Sequence, residues 1–330
     1  MTFRLVSTGA ALLLIILVIL AVGASPWAVM VSLWQGAFGS EDRLARVLAT
    51  LAPLLLCSSG LIYTFTAGVY NLGIEGQITS GAIFSLFILR LLEDLVPAPL
   101  LLGLALLAAM VGGGLWGLLV GVLNIYGRVN EIFAGLGLNF VAQGWVLYLI
   151  FGPWKREGIA SMSGTELLDP SLWLPTWGQT EASPVSVILA LLSLTLTGLV
   201  VRGTHLGLQL RAVGLNPRAA YILGVPTQKR LLTAFSCCGG LAGLAGGLQV
   251  VAVFHRLIPN ISSHLGFLAL LVVMLVHFHP LWILPVALFF SGLNVGSLQL
   301  PLSLQLESSL AGVIQGSLVL AVLFGQGIAH

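Results

Sequence analysis

Asn71, Glu75 and Gln77 place two amides and a carboxylate in one short stretch between long apolar runs, Ala67-Gly68-Val69-Tyr70-Asn71-Leu72-Gly73-Ile74-Glu75-Gly76-Gln77. If the next helix began only beyond Gln77, 15 residues would remain before Glu93, fewer than the about 20 that a membrane crossing takes. The stretch therefore lies partly at membrane depth, where irregular backbone has to be buried in protein or line a water-filled cavity. That makes Asn71, Glu75 and Gln77 candidates for a substrate path or its gate. A local reading stands beside it: Glu75 in the first turn of its helix meets the positive end of the dipole, with Asn71 or Gly73 as cap. Asn139, Gln143, Gln249, Asn294 and Gln315 also interrupt apolar helices. Singly, each reads as an interhelical hydrogen bond. Together they describe a polar interior, and Asn139, Gln249 and Asn294 join the candidates for the path.

Other chemistry is not encoded. His277 and His279 bracket Phe278 before Pro280 without a nearby carboxylate or Cys, so a helix-end reading is preferred to a metal site. Cys57, Cys237 and Cys238 all lie in apolar segments and read as small packing residues, not as a disulfide framework or thiolate set. There is no G-x-x-x-x-G-K-[ST] loop, no G-x-S-x-G elbow and no H-E-x-x-H. No catalytic residue and no cofactor are expected, and any energy from ATP has to arrive from another chain.

The elements that position these residues are set by composition. Charged residues make up 7% of the 330, against about a quarter in a soluble domain, and the mean hydropathy is +1.06. The chain reads as an all-α polytopic membrane protein, one transmembrane domain over residues 1-330 with no room for a soluble one. Crossings fall near 5-23, 46-67, 74-92, 98-123, 132-151, 184-201, 231-253, 264-278, 281-298 and 306-325, about ten in all. The run after Arg4 is longer than a signal-peptide core and reads as the first crossing, not as a cleaved leader. Arg202, Arg211, Arg218, Lys229 and Arg230 stand in a loop, 202-230, with no acidic residue. The positive-inside rule puts that loop, Arg4, Arg128 and both termini in the cytoplasm. Glu41, Asp42, Glu93, Asp94, Glu157, Glu166, Asp169 and Glu181 then face outward. One basic loop without interleaved exposed aromatics excludes nucleic acid as a partner.

Inside the basic loop, Asn216-Pro217-Arg218-Ala219-Ala220-Tyr221-Ile222-Leu223-Gly224 carries the punctuation of a short helix: Asn as N-cap, Pro at the first position, Gly as terminator. Two turns alone in water would melt, so the helix reads as a docking piece for a soluble partner. The longest external segment, 152-184, holds Trp154, Trp173 and Trp177, as an interfacial aromatic belt or a landing surface for an external protein. Gly113, Gly117 and Gly121, and likewise Gly239, Gly243 and Gly247, recur at every fourth position and predict close helix packing.

N-L-G-I-E-G-Q (71 to 77), V-N-E-I (129 to 132) with L-N-F-V-A (138 to 142), Y-L-I-F-G-P (148 to 153) and L-R-A-V-G-L-N-P-R-A-A-Y-I-L-G-V (210 to 225) run through nearly the whole chain. In order and spacing they resemble the permease subunits of ABC importers of the ribose, branched-chain amino acid and nucleoside group, the nucleoside branch most. The resemblance implies a pathway formed by two permease chains, identical or different, with two ATP-binding subunits on the cytoplasmic side. It also implies an external binding protein and a bacterial plasma (inner) membrane. It further implies that Arg211, Gly214, Asn216, Pro217, Ala219, Ala220 and Gly224 build the coupling helix that fits the ATPase groove, and that Asn71, Glu75 and Gln77 belong to a family signature. The chain departs from the family near Gly266-Phe267-Leu268-Ala269-Leu270 and at His277 to His279, which leaves the substrate open between a nucleoside, ranked first on the resemblance, and a simple sugar, ranked second.

An ion-coupled secondary transporter needs titratable groups deep in the membrane, and Glu75 is nearly alone there. A membrane-embedded enzyme needs a nucleophile or metal cluster at one interface, which the scattered His and Cys do not supply.

Overall fold

The computed structural model describes residues 13, 15–17, 19–20, 23–156, 164–178, 180–276 and 279–327. Every regular element among them is helical. In chain order they are α1 (Pro26–Phe38), α2 (Glu41–Thr66), α3 (Ile74–Leu92), α4 (Ala98–Ile125), α5 (Glu131–Phe151), α6 (Pro184–Gly203), α7 (His205–Leu215), α8 (Pro217–Ile222) and α9 (Thr227–Leu248). After α9, which runs on as a π turn over Gln249–Phe254, come α10 (Leu265–Leu275), α11 (Pro280–Ser297), α12 (Leu300–Leu304) and α13 (Leu310–Gly327). Seven helices among the described residues, α2 to α6, α9 with its π turn, and α11, are long and apolar enough to cross a membrane. The protein is a multi-pass membrane protein. Of the expected crossing at 5-23 only scattered residues are described, and Arg4, Glu157 and His277 lie outside the described residues.

Three helices were not anticipated: α1, α7 and the five-residue α12. α1 has 13 residues, about 20 Å at 1.5 Å per residue, too short to cross, so a search for full crossings passes over it. α7 occupies part of what reads as loop. α2 also begins earlier than expected, at Glu41, which puts Glu41 and Asp42 in its first turn, where the dipole favours acidic groups.

The chain divides into two compact units, Ala52–Leu270 and a second made of Met1–Leu51 with Leu271–His330. In the second, α1 packs on α11 so closely that a Cβ at Gly36 would come within 2.6 Å of the Gly296 carbonyl. Ser291 Oγ donates to the Val47 carbonyl at 2.7 Å and Gln315 Nε2 to that of Phe290 at 3.3 Å, so Gln315 is an interhelical hydrogen bond as its position suggested.

The larger unit is built on α3, α4 and α9. Lipid tails are as apolar as leucine, so close van der Waals packing has to hold membrane helices together. The two glycine stripes meet here: a Cβ at Gly113 would overlap the Gly239 carbonyl, and one at Gly243 would overlap that of Ala109. Outer faces differ by helix. α4 exposes Leu100, Leu107, Leu115 and Leu119, and α6 exposes Ile188, Leu192, Leu196 and Leu199, aliphatic stripes suited to lipid. α5 instead exposes Phe133, Phe140 and Tyr148, with open space around Gly137 and Gly144.

Candidate functional site

α2 ends at Thr66, and the chain reverses through Gly68, whose φ of +78° is the left-handed conformation glycine adopts without penalty. Val69 N donates to the Thr64 carbonyl at 3.0 Å and closes this end of the helix. The turn from there to Gln77 is fastened from three sides. Asn71 and Gln77, both fully buried, pair amide to amide: Asn71 Nδ2 donates to Gln77 Oε1 at 3.0 Å, and Gln77 Nε2 donates to Asn71 Oδ1 at 3.2 Å. Asn71 Nδ2 also reaches Cys238 Sγ on α9 at 3.1 Å, and its Oδ1 accepts from Gly73 N at 3.2 Å. From α5, Asn139 Oδ1 accepts from Gly76 N and Asn139 Nδ2 donates to the Leu72 carbonyl, both at 2.8 Å. Gly76 leaves room for this approach, since a Cβ there would come within 2.8 Å of Trp116 Nε1 and 3.0 Å of Asn139 Oδ1.

Glu75 does lie in the first turn of α3, but its carboxylate serves another helix as well. Oε1 accepts from Phe267 N at 2.9 Å, at the start of α10, where unpaired N–H groups favour an anion. Its Oε2 is buried without a hydrogen bond, with Ser262 and His264 alongside. The structure thus brings Asn71, Glu75, Gln77 and Asn139 together as a clamp on one turn. It does not bring Gln249 to the clamp's hydrogen bonds: that residue is buried in the π turn. Asn294 belongs to the other unit, on α11. Cys238, read from sequence as a packing residue, is also a hydrogen-bond partner of the clamp.

The basic loop is organised as stem and tip. α7 is the stem, capped by Thr204 Oγ1 accepting from Gly207 N at 3.3 Å. Arg211 donates back to the Val201 carbonyl. Gly214 lies against the turn described above: a Cβ on it would overlap the Thr66 carbonyl, and one on Gly68 would come within 3.0 Å of Gly214 Cα. Arg211 and Gly214 therefore sit on the stem, not on the short helix itself. α8 is the tip. Asn216 Oδ1 accepts from Arg218 N and Ala219 N, both at 3.1 Å, and Pro217 occupies the first position. At the far end Gly224 has φ +83°, with Val225 N to the Ala220 carbonyl and Gly224 N to that of Tyr221, both at 3.0 Å. That is the Schellman pattern, which settles the last carbonyls of a helix. Ala220 is buried, whereas Tyr221, Ile222 and Leu223 are 72, 82 and 81% exposed.

The described part of the segment 152-184 is strapped down, an arrangement not visible in the sequence. Thr165 N donates to the Leu257 carbonyl, Leu168 N to that of His255 and Leu174 N to that of Val251, each at 2.9 Å. Trp173 stacks on His255 with centroids 3.9 Å apart and planes at 12°, while Trp177 stays 67% exposed. Burial lowers the His255 pKa below its usual 6.5. Asp169 Oδ1 accepts from Ser171 N at 2.8 Å, which holds that carboxyl below the usual range. Among the described residues no three His, Cys, Asp or Glu side chains cluster as a metal site.

Residues 43–323 match the family described as branched-chain amino acid transport system / permease component. Two relatives come from Bacillus subtilis (strain 168). The guanosine ABC transporter permease protein NupP is 26% identical over 88% of this chain and 84% of its own length. The guanosine ABC transporter permease protein NupQ is 30% identical over 72% of this chain and 76% of its own. Among solved structures, PsaBC from Streptococcus pneumoniae in complex with Fab superposes with a TM-score of 0.50 at 12% identity, covering 90% of this chain and 95% of that one, a likeness of fold alone.

Proposed function

The chain belongs to the family of permease components of branched-chain amino acid transport systems, and from that premise we propose that it is the membrane subunit of an ATP-driven importer for a nucleoside. It is a transport component and not an enzyme. The observation that carries the proposal is the stem and tip of the basic loop: a helix of six residues, capped at both ends, exposing Tyr221, Ile222 and Leu223. In this reading an ATP-binding subunit receives α8 in a groove, contributing the binding energy that so short a helix lacks. Its closure moves α7. Gly214 meets Gly68 backbone to backbone, so the displacement passes into the turn that Asn71, Gln77 and Asn139 hold, and from there to α10 through Glu75. Alternating access follows as a rigid-body movement of packed helices.

Two guanosine permeases of one organism both match this chain, which supports a second, different permease chain as its partner and a nucleoside as cargo. An external binding protein delivers that cargo in the same reading. About ten crossings with both termini in the cytoplasm of a bacterial plasma membrane remain part of the proposal.

The test is uptake of radiolabelled guanosine into vesicles holding the permease with its co-purifying partners. ATP-dependent uptake unaffected by protonophore is expected. Uptake that needs no ATP-binding subunit and collapses with the proton gradient would reinstate the secondary transporter.

A further inference from the structure

The turn that enters α10 holds a group of side chains that the coupling scheme leaves unused. Ser263 and His264 are consecutive non-glycine residues in the left-handed region, at φ 48° and 59°, a conformation that persists only where the surroundings impose it. Here they do so from several sides. Gln143 Nε2 on α5 donates to the Pro259 carbonyl, Leu265 N donates to the Ser262 carbonyl at 2.9 Å, and Glu75 Oε1 holds Phe267 N at 2.9 Å. Gly266 is what lets Glu75 so near: a Cβ there would come within 2.9 Å of Glu75 Oε1 and 2.6 Å of Ile74 Cγ2.

The fixed turn sets two rings near parallel. The His264 and Phe267 centroids are 6.5 Å apart with planes at 23°, close to two stacking layers of about 3.4 Å each. Asn260 Nδ2 stands 3.5 Å from His264 Nε2. Asn260, His264 and Phe267 are all exposed, and the Glu75 carboxylate, whose Oε2 is buried without a hydrogen bond, is a neighbour of His264.

We infer that Asn260, His264 and Phe267 form a slot for the planar base of a nucleoside, a deeper statement of the cargo reading above and resting on it. The two rings take the base between their π faces, an attraction every base shares. The Asn260 amide offers one acceptor and two donors to the base edge, as amides do toward purines. A sugar without a base has no face to offer the rings, so the slot separates nucleosides from simple sugars. Gln143 and Glu75 act as positioning residues: one holds the turn to α5, the other ties it to the clamp that α7 touches, so a movement of the clamp alters the spacing of the rings.

The experiment is photolabelling of the assembled transporter in nanodiscs with 8-azidoguanosine, followed by peptide mapping. Label is expected on the segment 259–267, displaced by unlabelled guanosine and not by glucose. Phe267→Leu is expected to cut the labelling about tenfold, within the range that loss of one base-stacking partner produces, and Phe267→Trp to restore it. Asn260→Ala, at an exposed position, is the variant that keeps the test open if Phe267→Leu fails to assemble, and an about fivefold loss of labelling is expected there. Label elsewhere, or equal displacement by glucose, in a transporter that imports guanosine with ATP overturns the slot and leaves the importer reading intact. A wild-type transporter that imports sugar and no nucleoside overturns the cargo reading and the slot with it.

Discussion

The turn at 67–77 and the helix at 217–222 are both short breaks between long helices, and they are held in opposite ways. The turn borrows its partners: Asn71 and Gln77 bond each other, Cys238 comes from α9, and Asn139 comes from α5. The helix supplies its own, with Asn216 at one end and Gly224 at the other, and leaves three large apolar side chains to solvent. A segment fastened to two other helices can only move with them, whereas a self-capped tip keeps its shape while its face stays free for a partner. In the proposed importer the second would receive displacement and the first transmit it, with Gly214 against Gly68 as the joint.

Breaking the turn has the largest expected effect. Asn71→Leu strands the buried Gln77 amide and the Gly73 N–H, and each buried orphan costs about 1–3 kcal/mol, so a thermal melt of the detergent-solubilised protein shifts down by several degrees and uptake is lost. Severing the joint comes next. Gly214→Val forces side-chain atoms against the Thr66 carbonyl, an overpacking cost of about 1–3 kcal/mol. ATP hydrolysis by the assembled complex is expected to persist while nucleoside uptake falls, and proportional loss of both would remove the joint from the account. At the tip, Gly224→Val places a β-branched residue at positive φ for about 1–2 kcal/mol. That strain is local to the tip, with nothing within 4 Å of the added Cβ to pass it on, so the melting temperature is expected to fall less than for Asn71→Leu, whereas recovery of the ATP-binding subunit on the permease drops. Asn216→Ala removes two cap hydrogen bonds for about 1 kcal/mol, and a smaller drop in the same recovery is expected.

The smallest effect is on the strap at 164–178, which differs from both the turn and the tip in resting on a histidine. His255 has its pKa lowered by burial, so the unfastened strap binds the proton more readily than the fastened one. The strap is at full strength above the usual value of 6.5 and weakens as pH falls through and below it. Limited proteolysis of the segment 164–178 at a series of pH values is expected to speed up on acidification, and His255→Phe is expected to flatten that dependence.

What could be read from the amino acids alone follows the range of the interactions. Asn216 and Gly224 cap a helix within nine residues of chain, and cap chemistry is local, so the tip was legible down to its terminator. The glycine stripes at every fourth position likewise foretold the close approach of α4 and α9, because helical period is a local property. The place of Glu75 in a first turn was legible for the same reason, but its bond to Phe267 spans 192 positions and no periodicity encodes it. The strap, with Thr165 meeting Leu257 92 positions away, was hidden for that reason too. α1 was missed on length. Arg211 and Gly214, expected to build one helix with Asn216 to Gly224, lie on the separate helix α7, where the apolar positions Leu210 and Val213 bury one face.

Affinity purification of the solubilised permease, wild type beside a variant carrying both Asn216→Ala and Gly224→Val, with co-purifying chains identified by mass spectrometry, asks whether α8 docks the ATP-binding subunit. Wild type is expected to bring down an ATP-binding subunit and a second permease, and the variant to keep the second permease while losing the ATP-binding subunit. An ATP-binding subunit recovered equally on both would contradict the assignment of α8 as its docking helix, and a wild-type chain that purifies alone yet imports guanosine without ATP would contradict the importer itself.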